Sequence, residues 1–573
     1  MKKIFYIAVV CIGLSLSGCS DFLNSRNLFD QSTETFFRTP EHMMQALGGV
    51  YDALTINTPT GLGDEIILAN LLADYTFAGG GADDYRAWRV ADFTNPGEDA
   101  FRPLWIRTYE GVHRANTLIE ALYRADLSAF FPTEAEATTF INTIKGEAYF
   151  LRGFFMFRAA RFWGGMPLIN STGAPRNVPR SSFSETFAQI ADDFNTAAGL
   201  LPRVNINTIG INDAGRVTVW GAKGYLARTF MFYTGYMTNM MNTPTTELTL
   251  PDGTRITRAQ IITHLEDVIN NSGHELLSDP RNLWPYAFVN QRAGRAILPW
   301  AEAEGLEWAG QDGPHSVFGT GNRETMFAVR HAFGEWYPAG LLRRRNAAAL
   351  HFGLRNQDGI EPYGQGWGWA PVNRIFYSEW NTNDLRRRGS ILNLDSTDEG
   401  ITFNQSANNG FHHTGLVIKK YIGIRHDGQG MFFQMFNPGA AHNDFGLDNA
   451  QDYLLLRFAD ILLMHSELTE TATGMNQVRN RAGLSDVPFS LRAVINERKY
   501  EFAFEGIRWF DLLRTGDVNN PAYNYFGRPV AVLNNNVEAM HSVTFRAETR
   551  GLLPIPESEI RLSDGVYTQN PGW

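Results

Sequence analysis

The run Gly146-Glu147-Ala148-Tyr149-Phe150-Leu151-Arg152, continuing to Trp163-Gly164-Gly165-Met166-Pro167-Leu168, carries the fold of this chain. Ile141, Ile144, Ala148, Leu151, Phe155 and Ala159 recur at steps of three and four, the period of a helix with an apolar stripe. Gly164-Gly165 and Pro167 then stop it, because glycine ends a helix without a Cβ penalty and proline cannot extend one. A helix over 139–163 is expected.

The same period returns on either side. Residues 41–54, 105–122, 183–200 and 218–236 read as helices, and so do 453–469, 475–482 and 491–513. Several pair as antiparallel neighbours. Trp220 and Tyr225, with the small Gly221, Ala222, Gly224 and Ala227, are loosely similar to a tetratricopeptide helix. Between about 239 and 450 Gly, Pro, Asn and Trp become dense, and stretches such as 316–321 and 364–371 read as loops with short strands. The expected fold is mainly α, with tetratricopeptide-like helix pairs forming a scaffold for a loop-rich region. The divisions are a leader (1–18), an N-terminal helical half (19–238), a loop-rich insert (239–450) and a C-terminal helical half (451–573) closing the same domain.

The leader has three parts. Lys2 and Lys3 open it, an apolar run fills 4–16, and Leu16-Ser17-Gly18-Cys19 ends it on small residues before a thiol. Thirteen apolar residues fall short of the ~20 a spanning helix needs. A Cys at that point is similar to the lipobox of bacterial lipoproteins, so Cys19 is expected to carry lipid and begin the mature chain. Two or more acyl chains make such anchoring stable. Cys11 leaves with the leader, and no disulfide is expected.

Charge excludes some partners. The formal charge is −10, and two units more negative without Lys2 and Lys3. That balance opposes nucleic acid and anionic lipid, which reward basic patches. The membrane is expected to be touched through the lipid alone.

Catalytic constellations are scarce. There is no His-Glu-x-x-His, Gly-x-Ser-x-Gly or phosphate-loop motif. His412-His413 and His465 have no ligand spacing around them. Asp83-Asp84 is the most suggestive acidic pair, but adjacent carboxylates on one loop do not straddle a glycosidic bond. Asp444, Asp448 and Asp452 fall at four-residue steps without the Gly and Glu of a calcium loop. No cofactor and no enzymatic activity are expected.

Taken together, the blocks resemble the SusD/RagB family. The resemblance rests on 146–152 and 163–168, with Trp105, Tyr109 and Asn116 before them. It continues through Arg457-Phe458-Ala459-Asp460-Ile461-Leu462-Leu463-Met464 with Glu467, Asn476-Gln477-Val478-Arg479, and Arg481-Ala482-Gly483-Leu484. Next come Glu497-Arg498, Phe504-Glu505-Gly506-Ile507-Arg508-Trp509-Phe510-Asp511-Leu512, Leu553-Pro554-Ile555-Pro556, and Gln569-Asn570-Pro571-Gly572-Trp573. The middle third matches poorly beyond 366–369 and Asp384 with Arg386. The resemblance implies an outer-membrane surface lipoprotein that captures nutrients, mostly glycans, as a lid on a SusC-like TonB-dependent transporter. A surface glycan hydrolase, a peptide binder and a purely structural lid are the alternatives. The charged residues of the C-terminal blocks sit among aromatics and are read as structural ion pairs: Arg457 with Asp460 or nearby loops, and Glu497, Arg498, Glu501, Glu505 and Arg508 along one helix.

Sugar rings present apolar C–H faces, so a carbohydrate site combines an aromatic platform with fixed polar groups. Two regions offer the mixture, and the resemblance implies platforms at about these places. The first is the loop from Asp74-Tyr75 to Tyr85, Arg86 and Trp88, with Gly79-Gly80-Gly81 as an exposed flexible turn. The second is the insert, with Trp284, Tyr286, Trp300, Trp308, Arg323, Trp336 and Tyr337. Trp367 and Trp369, on a shared loop, are read as structural.

Overall fold

The structure is a computed structural model that describes residues 36–573 except 56–60, 98, 211–212, 289–297, 311–321, 332–345, 356–361, 398, 401–411, 427–428, 431–450 and 535–536. Its helices begin where side chains can satisfy free N–H groups. α1 (Pro40–Asp52) starts at a Thr39 cap, and α2 (Glu65–Leu72) at Asp64, whose carboxylate accepts from the N–H of Ile66 and Ile67. The short α3 (Tyr85–Ala91) is followed by α4 (Arg102–Arg124) and α5 (Glu134–Trp163). α6 (Phe183–Leu200) opens with a Ser182–Glu185 capping box, and α7 (Val219–Asn239) leads to α8 (Arg258–Asn271), opened by a Thr257–Gln260 box. Toward the C-terminus come α9 (Phe458–Thr469), α10 (Thr473–Arg481), α11 (Leu491–Glu501) and α12 (Arg508–Thr515).

α5 is the spine. From Phe150 to Trp163 every residue is buried, so its far half is enclosed on all sides rather than along one stripe, and Gly164 ends it at φ +76°. α1, α4 and α6 pack against it. Neighbour then follows neighbour through α7, α8, α9, α10 and α11, while α12 closes back onto α7. The result is the expected mainly helical scaffold of tetratricopeptide-like pairs.

Two segments depart from the expected helices. In 453–469 the first five residues form a strand, because Tyr-Leu-Leu-Leu-Arg is a short apolar run buried on both faces. That strand, β3 (Tyr453–Arg457), pairs antiparallel with β1 (Thr325–Val329), fastening the insert to the C-terminal half. The run 491–513 breaks at 502–507. Phe504 and Gly506 take left-handed φ of +68° and +76°, and the Phe504 N–H donates to the Tyr75 hydroxyl while its carbonyl accepts from Asn70. Docking onto α2 and the loop after it offsets the local strain.

The charged residues of the C-terminal blocks pair across elements rather than along one helix. Arg457 bonds Glu505 and Glu501 at 2.8 Å each and also Glu324. Arg481 joins Glu324 and Glu501, Arg386 reaches Glu497, Glu501 and Asp384, Arg479 reaches Glu497, and Lys420 reaches Glu505. Five cations thus meet five carboxylates in one buried, neutral network. Asp460 turns away from Arg457 to Arg228 and Arg498.

Two imidazoles near β1, His274 buried and His331 half-buried, contribute to the acid response. The His274 Nδ1–H donates to the Arg323 carbonyl at 2.8 Å, and His331 packs edge-on against Tyr453. Burial lowers His274 to about 4 and His331 to about 3. Both stay neutral when folded and take a proton when unfolded below about pH 6.5, so the unfolded state binds more protons. Their contribution is complete above pH 6.5 and should fall as pH drops toward 4, by up to about 2.7 kcal/mol per pH unit for the pair, offset in part by Asp64, whose carboxyl is raised to about 6 by burial. Urea midpoints at pH 7, 6 and 5 check this, and His274→Gln should reduce the slope. A flat profile would contradict it.

Candidate functional site

The loop after α2 is held from several directions. Asp74 accepts two bonds from Arg508 and one from the Tyr525 N–H. Thr76 pairs with Val372, Gly79 with Trp369, and Gly80 with His412. Gly79 and Gly80 are buried, with φ of +70° and +73°, and a Cβ on Gly79 would overlap the Gly368 carbonyl and Pro371. The three glycines are therefore not the exposed flexible turn expected. They let this loop press flat against the insert.

The rigid loop then delivers α3. The Asp84 carboxylate accepts from the Gly81 N–H at 2.7 Å and from Arg355 at 2.8 Å, so this half of the acidic pair is structural. Tyr85 stands at the start of α3 with 48 % of its surface exposed. The guanidiniums of Arg86 and Arg89 flank its ring at 5.8 and 5.2 Å. Trp88, one turn on, is half-buried, and its indole N–H donates to the Gly79 carbonyl at 2.9 Å. Its ring meets His412 and His541 edge-on, at 4.4 and 5.4 Å.

Those histidines come from a three-stranded sheet. β4 (Val530–Asn534) lies between β5 (Val537–His541) and β2 (His412–His413). His541 reaches Asp92 at 3.1 Å, and β5 exposes Val537 and Met540. Burial and the nearby His541 lower the pKa of His412. Three distant segments thus meet around Trp88. His541 was not visible as a site residue in the sequence, and the one available signal, the apolar run Val530-Ala531-Val532-Leu533 ahead of three asparagines, gives no hint of which loop His541 faces.

The insert behaves differently. Trp284, Tyr286 and Trp300 are 2 %, 1 % and 7 % exposed, so they offer no ring face to a ligand. The cause is a pair of lysines inside an apolar run, Val417-Ile418-Lys419-Lys420-Tyr421. The Lys419 ammonium lies 4.2 Å from the Trp300 ring and 4.9 Å from Tyr286, and Lys420 lies 5.0 Å from Trp284. Glu399 accepts from Lys419 Nζ, the Trp300 indole and the Tyr363 hydroxyl at 2.7, 2.8 and 2.6 Å. Burial lowers Lys419 to about 8. The expected platform is an aromatic cage around the protein's own cations.

The remaining candidates scatter. Trp308 is buried, and Arg323 is exposed and pairs with Glu275. Trp336, Tyr337 and Cys19 lie outside the described residues, as do Asp444 and Asp448. Asp452 is buried and accepts from the His331 N–H. Trp367 and Trp369 pack edge-on against His351. Among the described residues no cluster of three His, Cys, Asp or Glu has metal-binding geometry. No helix among them is long and apolar enough to cross a membrane.

Two family models match the chain: one for the SusD family over residues 372–573, the other described as starch-binding and associating with outer membrane over 21–231. This chain belongs to the SusD/RagB family. The unmatched stretch, 232–371, contains the lysine-caged tryptophans. SusD-like protein P2 of Formosa agariphila is 24 % identical over the full length of both chains. A SusD-like protein of Bacteroides ovatus is 22 % identical over 88 % of this chain and 81 % of its own. Surface glycan-binding protein A from Bacteroides thetaiotaomicron, in complex with laminarihexaose, superposes with a TM-score of 0.68 at 19 % identity, over 93 % of this chain and 99 % of that one. A laminarin binding SusD-like protein gives 0.67 at 21 % identity, over 94 % and 100 %. At such identities the likeness is one of SusD fold.

Proposed function

We propose that this SusD-family protein is a non-enzymatic, lipid-anchored outer-membrane protein that binds a glycan at Tyr85 and Trp88 and passes it to a SusC-like TonB-dependent transporter. The observation that carries the reading is the exposed Tyr85 ring. It is fixed on a short helix by a loop pinned to the insert, with two guanidiniums beside it. An aromatic face meets the C–H face of a sugar, and the guanidiniums offer donors to hydroxyl or carboxylate oxygens. A family relative of the same fold holds laminarihexaose, which makes a β-glucan the first ligand to try. Affinity electrophoresis against a panel of polysaccharides, with laminarin included, tests the reading. Retardation by at least one glycan is expected, and indifference to the whole panel would overturn it.

The anchor belongs to the same proposal. Cys19→Ala should yield a soluble, glycan-competent protein and abolish glycan uptake by the cell. Membrane fractionation with an uptake assay measures both, and a variant still held at the membrane would remove Cys19 from the account.

A further inference from the structure

Where α5, α7, α9, α11 and α12 converge they leave a small cavity of about 30 Å³. Arg161, Arg228, Arg498 and Arg514 line it together with the rings of Phe157 and Phe510. Three of these guanidiniums are neutralised. Arg228 bonds Asp460, Arg498 bonds Asp460 and Asp511, and Arg514 bonds Glu467 at 2.6 Å and Asp511 at 2.7 Å. Arg161 is not. Among the described residues it makes no hydrogen bond and no ion pair, its Nε is buried without an acceptor, and the residue is only 7 % exposed. Its guanidinium lies between Phe157 at 4.4 Å and Phe510 at 3.8 Å.

Direct pairing leaves one guanidinium over: Asp460, Asp511 and Glu467 bond Arg228, Arg498 and Arg514. Glu65, the strongest nearby charge on Arg161, pairs with Arg158 at 3.9 Å and does not bond Arg161. Burial lowers Arg161 to about 10, which still leaves it protonated at neutral pH. A buried cation without a counter-charge is costly, and the flanking rings supply only part of what water would have given. A cavity of this size has room for a body of one or two water volumes and none for a phosphate or a sugar.

We propose that the cavity is a binding site for a single monatomic anion, chloride in ordinary solution, held by Arg161 and supplying the directly bonded counter-charge that this guanidinium lacks. Water would accept a hydrogen bond there but leave the charge. Crystals soaked in bromide test the assignment directly. One anomalous peak within hydrogen-bonding reach of Arg161 is expected, and its absence, or a water in its place, would overturn the proposal. In solution, the thermal midpoint should be higher by about 1–2 °C in 0.15 M sodium chloride than in sodium gluconate of equal ionic strength. Arg161→Met, which keeps much of the volume, should lose both the peak and the chloride increment. An increment unchanged in that variant would place the effect elsewhere. Should the variant not fold, the bromide peak in the native protein decides alone.

Discussion

Replacing Arg457 with methionine should remove about 3–5 kcal/mol of folding stability, a large share of the roughly 5–15 kcal/mol a folded protein has. The side chain is 1 % exposed and holds Glu324, Glu501 and Glu505 together, binding the strand β3, the start of β1 and the end of α11 at one point. Burial works against its charge, and Glu505, Glu501 and Glu324 outweigh that burial and hold the guanidinium far above its ordinary range. Burial likewise acts to raise Glu501, while Arg481, Arg457, Arg386 and Lys420 together hold it well below the usual carboxylate range. Methionine fills space without neutralising anything, so five carboxylates would face four cations in a site closed to water. The comparison is Arg203→Met. Arg203 is half-exposed and pairs with Asp267, which keeps Lys223 as a partner, so its loss should cost no more than about 1 kcal/mol. Urea midpoints of the two variants measure the difference, and a similar small loss for both would show that the network contributes little.

That network also marks the limit of what the linear chain discloses. α6 runs from Phe183 to Leu200 as its period implies, since a Ser182–Glu185 box and a clean stripe are local facts. Arg457 and Asp460 lie three residues apart and invite pairing with each other, but the strand ending at Arg457 sends the two side chains apart. A five-residue apolar run does not reveal whether it is strand or helix until its partner at Thr325–Val329, more than a hundred residues earlier, is known. The aromatic residues of the insert mislead for the same reason. Trp300 and Glu399 are 99 residues apart, and only their hydrogen bond and the burial of Lys419 turn an apparent sugar platform into core. Gly79-Gly80-Gly81 shows the converse. Glycine marks an unusual backbone but not whether it serves freedom or close packing, and here it is packing. The first aromatic loop stays intact as a candidate because Tyr85, Arg86 and Trp88 lie within one turn of a single helix.

Tyr85→Ala should weaken binding of the captured glycan by roughly 30-fold, about 2 kcal/mol, while leaving the thermal midpoint unchanged. The two halves of this expectation follow from one observation. Nearly half of the Tyr85 surface is open and the Arg86 and Arg89 guanidiniums flank its ring, so truncation opens no enclosed cavity. The same openness is what a stacking platform requires. Trp88 separates differently, because its indole N–H holds the Gly79 carbonyl and its ring supports His412 and His541. Trp88→Phe keeps a ring but leaves that carbonyl without its donor, so it should lower stability by about 1 kcal/mol and affinity by less than Tyr85→Ala does. Calorimetric titration with laminarihexaose, or with whichever glycan retards the native protein, reads affinity, and thermal unfolding reads stability. Unchanged affinity in Tyr85→Ala would remove α3 from the binding surface. A loss of affinity matched by a loss of stability would mean that the ring supports the fold instead. Only a drop in affinity at constant stability leaves Tyr85 as the residue on which the sugar rests.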